Sequence, residues 1–250
     1  VRLADESVCI GPPAAKDSYL STAAILSAAS ITGADAIHPG YGFLSENTKF
    51  VKLCEEAGIA FVGPPSGVIA RFGDKTEARQ LAIEYDVPIV PGTETSVSTA
   101  AEARTFCDSI GYPVICKAAF GGGGRGMRIV RSEGELEANF NEASNEALKA
   151  FGDGSMFIER YVESPRHVEI QILSDGTDTV HLFERDCSVQ RRHQKVVEIA
   201  PAWNLPASLR EALQQDSLRL MKSANYLNAG TVEFLVDKKG RHYFIEVNPR

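Results

Sequence analysis

Five of the six residues from Gly121 to Gly126 are glycine, and apolar segments bracket the run: Val114, Ile115 and Cys116 lead in, while Met127, Ile129 and Val130 lead out. Without a Cβ, such a run tolerates positive φ and lets a ligand approach the backbone closely. Successive exposed N–H groups form a concavity that attracts anions, and Lys117 and Arg125 add positive charge at its two ends. A loop that covers phosphate is the expectation. Gly121, Gly123 and Gly126 formally satisfy G-x-G-x-x-G, but a dinucleotide turn needs a helix after the loop, and β-prone residues follow this one. A Walker A loop needs Gly-Lys-Ser/Thr, which is absent. The context is strand–loop–strand, a hairpin flap rooted at Lys117. The bland alternative, a merely flexible hairpin, is disfavoured by the flanking cations.

Around the flap, two patterns divide the chain. Residues 1–65 alternate strand and helix signals: strand 7–10, helix 19–29 ending near Gly33, strand 34–38, helix 47–57 stopped by Gly58, and strand 59–62. That alternation predicts a parallel, Rossmann-like unit whose first strand is missing. Asp74, with Glu77 three residues on, resembles a capping box for a helix over 75–85. A short strand (Ile89, Val90) and a helix over 100–110 follow. After the flap, Ser132 starts a helix running to about residue 150, with Leu136, Phe140 and Ala147 in its apolar stripe. From 156 onward strands dominate, at 156–159, 166–173, 180–184 and 187–191. A helix over 208–224 interrupts them before a closing hairpin of 231–236 and 242–247. The expected class is α/β, turning α+β in the second half. A partial Rossmann-like domain occupies 1–73 and a second domain 74–250. The chain lacks an initiator Met and stops straight after a strand-like run, so it reads as a fragment of a longer protein.

Charge and cysteine usage narrow the function. A net charge of −7 and a pI near 5.3 argue against a broad nucleic-acid face, while leaving room for a local basic pocket. No apolar run approaches the roughly 20 residues that span a bilayer. Cys9, Cys54, Cys107, Cys116 and Cys187 show no metal-site or CxxC spacing. They read as buried apolar thiols of a reducing compartment.

Three further stretches carry chemistry. In 166–172, Val168, Ile170 and Ile172 point one way and His167, Glu169 and Gln171 the other, because strand side chains alternate. The polar set is either a site wall or a solvent-facing surface. Centring the closing hairpin between Lys239 and Gly240 places Glu233 opposite Glu246, with Asn248 on the same face. Two carboxylates about 5 Å apart at an effective dielectric of about 20 repel by roughly 3 kcal/mol, unless a cation sits between them or one is protonated. Two carboxylates and an amide oxygen suit magnesium or manganese beside phosphates. The run 184–195 concentrates Arg185, Arg191, Arg192 and Lys195 among Gln and His, a mixture suited to binding an oxyanion. The Pro- and Gly-rich turn His38–Glu46 is either a ligand position after a parallel strand or a packed connection, and composition assigns it no chemistry.

In combination and order, Gly73-Asp74-Lys75, Lys117 with its glycine loop, Arg166-His167-Val168-Glu169, Glu184-Arg185-Asp186-Cys187-Ser188, Gln190-Arg191-Arg192-His193-Gln194-Lys195, Glu233 and Glu246-Val247-Asn248-Pro249-Arg250 resemble biotin carboxylases. These are ATP-grasp enzymes, found alone or as the first domain of biotin-dependent carboxylases. The resemblance covers essentially the whole chain and includes the turn 38–46. Within the family, 195–202, 228–237 and 241–246 are most similar to the pyruvate carboxylase sub-family, whose overall product is oxaloacetate.

The resemblance implies a Rossmann-like unit followed by an ATP-grasp fold, with ATP, magnesium or manganese, bicarbonate and carrier-bound biotin as ligands. Lys75 and Lys117 would contact ATP phosphates, beneath a cover of Gly122, Gly123 and Gly124. Glu159 and its neighbours would line the adenine pocket, with His167 near the ribose and Gln190, His193 and Leu235 also in the nucleotide site. Glu233 and Glu246 would hold the metal, with Asn248 beside them, and would share the catalytic work with Lys195 and Arg250, which place bicarbonate and carboxyphosphate. Many relatives carry Lys where this chain has Arg160. The implied general base lies beyond Arg250, so the chain alone is expected to bind nucleotide without carboxylating biotin. Implied partners are a biotin carrier domain and a carboxyltransferase domain or subunit, in a homo-oligomer of the cytoplasm or mitochondrial matrix. The alternatives are an acyl-CoA carboxylase subunit, another ATP-grasp ligase, or a non-catalytic nucleotide-binding domain.

Overall fold

The structure, a computed structural model, describes residues 3–119, 126–191 and 194–250. Its first third is a small parallel unit. Helix α1 (Thr22–Thr32) starts at Ser21, whose side chain accepts from Ala24 N, and ends at Gly33, whose φ of 65° suits a residue without Cβ. Strand β1 (Ala36–Ile37), helix α2 (Thr48–Glu56) and strand β2 (Ala60–Phe61) follow, and the two strands pair in parallel, Ala36 with Ala60. Phe50, Cys54 and Leu44 form its core. The strand expected at 7–10 does not form; the segment has no regular structure and leaves Cys9 exposed, since an unpaired strand has no ladder to hold it. The other four cysteines are buried.

Two short helices then meet at one residue. Helix α3 (Ser66–Gly73) buries Ile69 and Phe72. It was not anticipated, because eight residues containing Gly67 and Gly73 give little periodic signal. Asp74 closes α3 and caps α4 (Lys75–Glu84), accepting from Thr76 N and Glu77 N, so the expected cap is formed. The segment Ile89–Val90 makes only a single bridge, Ile89 to Phe244.

Helix α5 (Ala100–Ile110), strands β3 (Val114–Ala118) and β4 (Met127–Val130), helix α6 (Glu133–Phe151) and strand β5 (Met156–Arg160) form a compact lobe. Its sheet has the order β4-β3-β5, and Leu136, Phe140, Ala143 and Ala147 of α6 pack on Val114, Cys116 and Ile158. Strands β3 and β4 are antiparallel, with Lys117 opposite Met127, which is the strand–loop–strand context read from the sequence. Gly126 has φ 67°, and a Cβ there would lie 2.9 Å from the Cβ of Ala118. Phe120, the glycines Gly121, Gly122, Gly123 and Gly124, and Arg125 lie outside the described residues, as does His193.

The remainder builds an antiparallel sheet of order β10-β9-β6-β7-β8 from β6 (Arg166–Asp175), β7 (Thr179–Arg191), β8 (Gln194–Ile199), β9 (Leu227–Val236) and β10 (His242–Pro249), with helix α7 (Ala207–Ser223) crossing between β8 and β9. Val168, Ile170 and Ile172 are fully buried against Leu213, Leu220 and Phe72, as the alternation requires. Strand β7 is continuous where two separate strands were expected. Strand β8 was not foreseen, because its cationic start masks a strand pattern whose Val196, Val197 and Ile199 are exposed.

Candidate functional site

The polar face of the large sheet is built by register. Near its turn the closing hairpin pairs His242 with Val236 and Phe244 with Phe234, which centres it on Lys239 rather than between Lys239 and Gly240. Continued unchanged, that register would set Ile245 against Glu233. A bulge between Phe244 and Glu246 inserts one residue, and Glu246 then pairs with Glu233. The expected opposition therefore holds, but the bulge produces it. On the other side of β9, Glu233 pairs with Glu169, and Glu169 pairs with Arg185. Arg185, Glu169, Glu233 and Glu246 thus form one row across four adjacent strands, with neighbours about 5 Å apart.

Glu169 and Glu233 are each only 3% exposed, so the row needs compensation. Lys195 reaches across from β8, and its Nζ donates to Glu169 Oε2 and, at 2.5 Å, to Glu233 Oε1. Arg185 donates to Glu169 Oε1 from Nε at 2.8 Å and Nη2 at 2.5 Å. His167 Nε2 lies 2.5 Å from Glu233 Oε2, and Asn248 Nδ2 donates to Glu233 Oε1 at 2.6 Å. Gln190 joins through its amide nitrogen, 2.7 Å from His167 Nδ1. Burial pushes the Glu233 carboxyl up, but hydrogen bonds and charge from His167 and Lys195 overcome it and hold it at about 2. Glu246 goes the other way: burial and then the Glu233 charge raise it, and Lys75, His167 and Lys195 only partly offset them. The residual strain of like charge therefore sits on Glu246, beside an ionised Glu233. A divalent cation between these two hard ligands fits that imbalance. As placed, Asn248 presents its amide nitrogen to Glu233 and acts as a positioning donor.

A cleft opens beside this row. Lys75 and Arg79 from α4, Lys117 at the flap root, Glu159 of β5, Leu235 of β9 and Glu246 line it. Lys75 and Glu246 also line an adjoining cleft with Asn248 and Glu46. Lys117 Nζ donates to Glu159 Oε2 at 2.5 Å. Arg160 lies outside the cleft lining, exposed, its guanidinium donating to Ile110 O. At the far edge Arg250 stacks over Tyr41, 5.7 Å from the ring centroid, with Nε 4.0 Å from Glu46 Oε1. Burial raises the Glu46 carboxyl against the opposing charge of Arg250. The turn that composition left without chemistry thus faces the site.

Lys75, Lys117, Glu159, Leu235 and Glu246 share one cleft, while His167, Gln190, Lys195, Glu233 and Asn248 share the adjoining network, with Arg250 at its rim. Sequence reasoning did not single out Arg79, although it lies one helical turn from Lys75 and so on the same face. Nor did it foresee that Glu169 extends the carboxylate pair to a row, since pairing between β6 and β9 is a long-range choice. Among the described residues, Glu169, Cys187 and Glu198 bring three ligand atoms within 4.8 Å of one another. Lys195 and Arg185 already compensate Glu169, Arg185 also lies 3.5 Å from Glu198, and burial beside Glu169 pushes the Cys187 thiol up to about 12. That trio is therefore an ion-pair network rather than a metal centre.

The model of the "Carbamoyl-phosphate synthase L chain, ATP binding domain" family matches residues 74–250, and that of "Biotin carboxylase, N-terminal domain" matches 1–69. The chain is 55% identical over 249 residues to mitochondrial pyruvate carboxylase of Mus musculus, covering 99% of this chain and 21% of that protein. It is 56% identical over 234 residues to pyruvate carboxylase of Aspergillus niger, covering 93% and 20%. The chain thus spans about a fifth of the length of the curated relatives it matches. A biotin carboxylase–β,γ-ATP complex from Campylobacter jejuni superposes with a TM-score of 0.93 at 47% identity, covering all of this chain and 56% of that one. The biotin carboxylase domain of Hydrogenobacter thermophilus 2-oxoglutarate carboxylase, solved with MgADP, ADP and bicarbonate, gives 0.88 at 47% identity, covering 100% and 55%.

Proposed function

Because the chain belongs to the biotin carboxylase family of ATP-grasp domains, we propose that it carries the ATP- and bicarbonate-consuming half-reaction of a biotin-dependent carboxylase, a pyruvate carboxylase. Bicarbonate attacks the γ-phosphate of ATP to give carboxyphosphate and ADP; carboxyphosphate then loses inorganic phosphate as its carboxyl group passes to a deprotonated ureido nitrogen of carrier-bound biotin. The observation that carries this reading is the lysine-bridged carboxylate row opening onto a cleft walled by Lys75, Lys117 and Glu159.

Each residue has a task that its geometry supports. Lys75 and Lys117 offer charge to the phosphates from two walls of the cleft. A magnesium or manganese ion held by Glu233 and Glu246 would neutralise charge on the transferring phosphoryl group. An ammonium has three donors; Glu169 and Glu233 take two from Lys195, leaving one for an oxyanion such as bicarbonate. Arg250, held between Tyr41 and Glu46, presents a planar fork suited to a carboxylate or phosphate. The division at residues 73 and 74 assigns nucleotide contact to 74–250 and leaves 1–73 to supply the rim through Tyr41 and Glu46.

Equilibrium binding of ATP to this chain, with and without magnesium, tests the first part, and bicarbonate-dependent ADP release by the full-length protein, with biotin or ammonia as acceptor, tests the second. Micromolar to millimolar, magnesium-dependent ATP binding and a preference for bicarbonate with biotin are expected. Absence of nucleotide binding, or turnover with ammonia alone, would refute the assignment, the latter in favour of a different ATP-grasp ligase.

A further inference from the structure

One half-buried cation in the nucleotide cleft, Arg79, has been given no task. Arg79 projects from α4 one turn after Lys75, and its Nη2 donates to Val90 O at 2.8 Å. Its Nη1 lies 3.6 Å from Glu159 Oε1, while Lys117 holds the other carboxylate oxygen, Oε2, at 2.5 Å. Arg79 and Glu159 side chains are each 18% exposed, so water screens this group only in part. Close packing fixes the arrangement: a Cβ on Gly92 would meet Glu159 Cγ at 2.8 Å and Arg79 Nη2 at 3.1 Å.

Glu159 is thus an anion in the wall of a cleft that, on the functional reading above, receives a polyphosphate. It is held by two cations, and those cations differ in freedom. Arg79 is tied to a backbone carbonyl and cannot leave without orphaning it. Lys117 sits on a flexible stem at the root of the flap, and phosphate oxygens compete with Glu159 for its ammonium. If Lys117 turned to a phosphate with no second cation behind it, a half-buried carboxylate would be left facing the incoming negative charge.

Resting on the nucleotide-binding assignment, we propose that Arg79 is a positioning residue that keeps Glu159 neutralised, so that the Lys117 ammonium can pass from Glu159 to a nucleotide phosphate. Arg79 acts through Glu159; it sets how readily Lys117 is released. The effect is specific to the phosphate chain, because adenosine makes no demand on Lys117.

The test is a binding cycle on the purified protein with ATP and, separately, adenosine. Arg79→Gln removes the charge while keeping an amide donor on a shorter stem; Arg79→Lys retains the charge. Arg79→Gln should weaken ATP about tenfold, below the cost of a fully buried broken pair because the group is partly exposed, and change adenosine less than twofold. Arg79→Lys should stay within about threefold of the wild type for ATP. In a Glu159→Gln background, where Lys117 has no carboxylate to leave, the same Arg79→Gln change should alter ATP affinity less than twofold. Thermal melts confirm that each variant is folded, and if Arg79→Gln does not fold, Arg79→Met joins the cycle in its place. Equal losses for ATP and adenosine, or the same tenfold loss in the Glu159→Gln background, would mean a purely structural role and overturn the proposal. Wild-type ATP binding with no change in Arg79→Gln overturns this inference alone, whereas no ATP binding by the wild type overturns the functional assignment with it.

Discussion

Replacing Lys195 with methionine removes the ammonium that bridges two nearly inaccessible carboxylates while keeping most of the apolar stem. Its cost can be worked from Glu233, whose carboxyl sits at about 2 against an ordinary 4.5. A separation of that size corresponds to about 3 kcal/mol of stability at neutral pH. His167 and Lys195 share it as the two hydrogen-bonding partners named for the shift, so the lysine accounts for about half. Glu169 loses one of its two cations and keeps Arg185, which adds about 1 kcal/mol more, well short of the full penalty for an unpaired buried charge. The expected total is about 2–3 kcal/mol. The sign with pH follows from a lowered carboxyl: the stabilisation is complete above the unfolded value of about 4.5 and disappears as pH falls towards about 2. Urea unfolding of both proteins from pH 7 to pH 3 should give a difference of about 2–3 kcal/mol at pH 7 that has begun to shrink, to about 1–2 kcal/mol, at pH 3. A difference below about 0.5 kcal/mol at pH 7, or one that stays constant with pH, would refute the reasoning.

Glu246 has the opposite sign. Its raised carboxyl means that the folded state loses stability as pH climbs through the window above the ordinary value. Glu246→Gln should therefore be more stable than the wild type by about 1 kcal/mol at pH 7 without divalent cations, and millimolar magnesium should reverse the order by stabilising only the wild type, read as melting temperatures. Gly126→Ala places a side chain at φ 67° and against Ala118; a loss of about 1–3 kcal/mol is expected, and unfolding midpoints unchanged within error would contradict it. Asp216, buried, accepts from Arg219 at 2.5 Å and contacts His242 at 2.6 Å, while Arg219 also donates to Tyr85 O and Asp86 O. Asp216→Asn should cost about 1–3 kcal/mol and leave ATP affinity within twofold, since this tie lies away from the cleft.

Local chemistry was legible wherever one stretch contained its own explanation. The apolar runs on either side of the glycines announced β3 and β4, Asp74 announced the start of α4, and the period-two alternation of 166–172 separated the buried Val168, Ile170 and Ile172 from the polar His167, Glu169 and Gln171. Where a segment depended on a distant partner, the pattern failed. Residues 7–10 look like a strand but find no partner strand among the described residues, and β8 hides beneath its cations.

The carboxylate site divides along the same line. Alternation determined that Glu246 and Asn248 share one face of their strand, because side-chain direction two residues apart is a property of the strand itself. Only the tertiary structure decided that a bulge at Ile245 brings Glu246 level with Glu233, that β6 sets Glu169 on the other side, and that Lys195 and Arg79 arrive from separate elements to neutralise what the strands bring together. Register and long-range pairing are collective choices of the whole sheet, made where the apolar face finds its core, and no single stretch of sequence contains them.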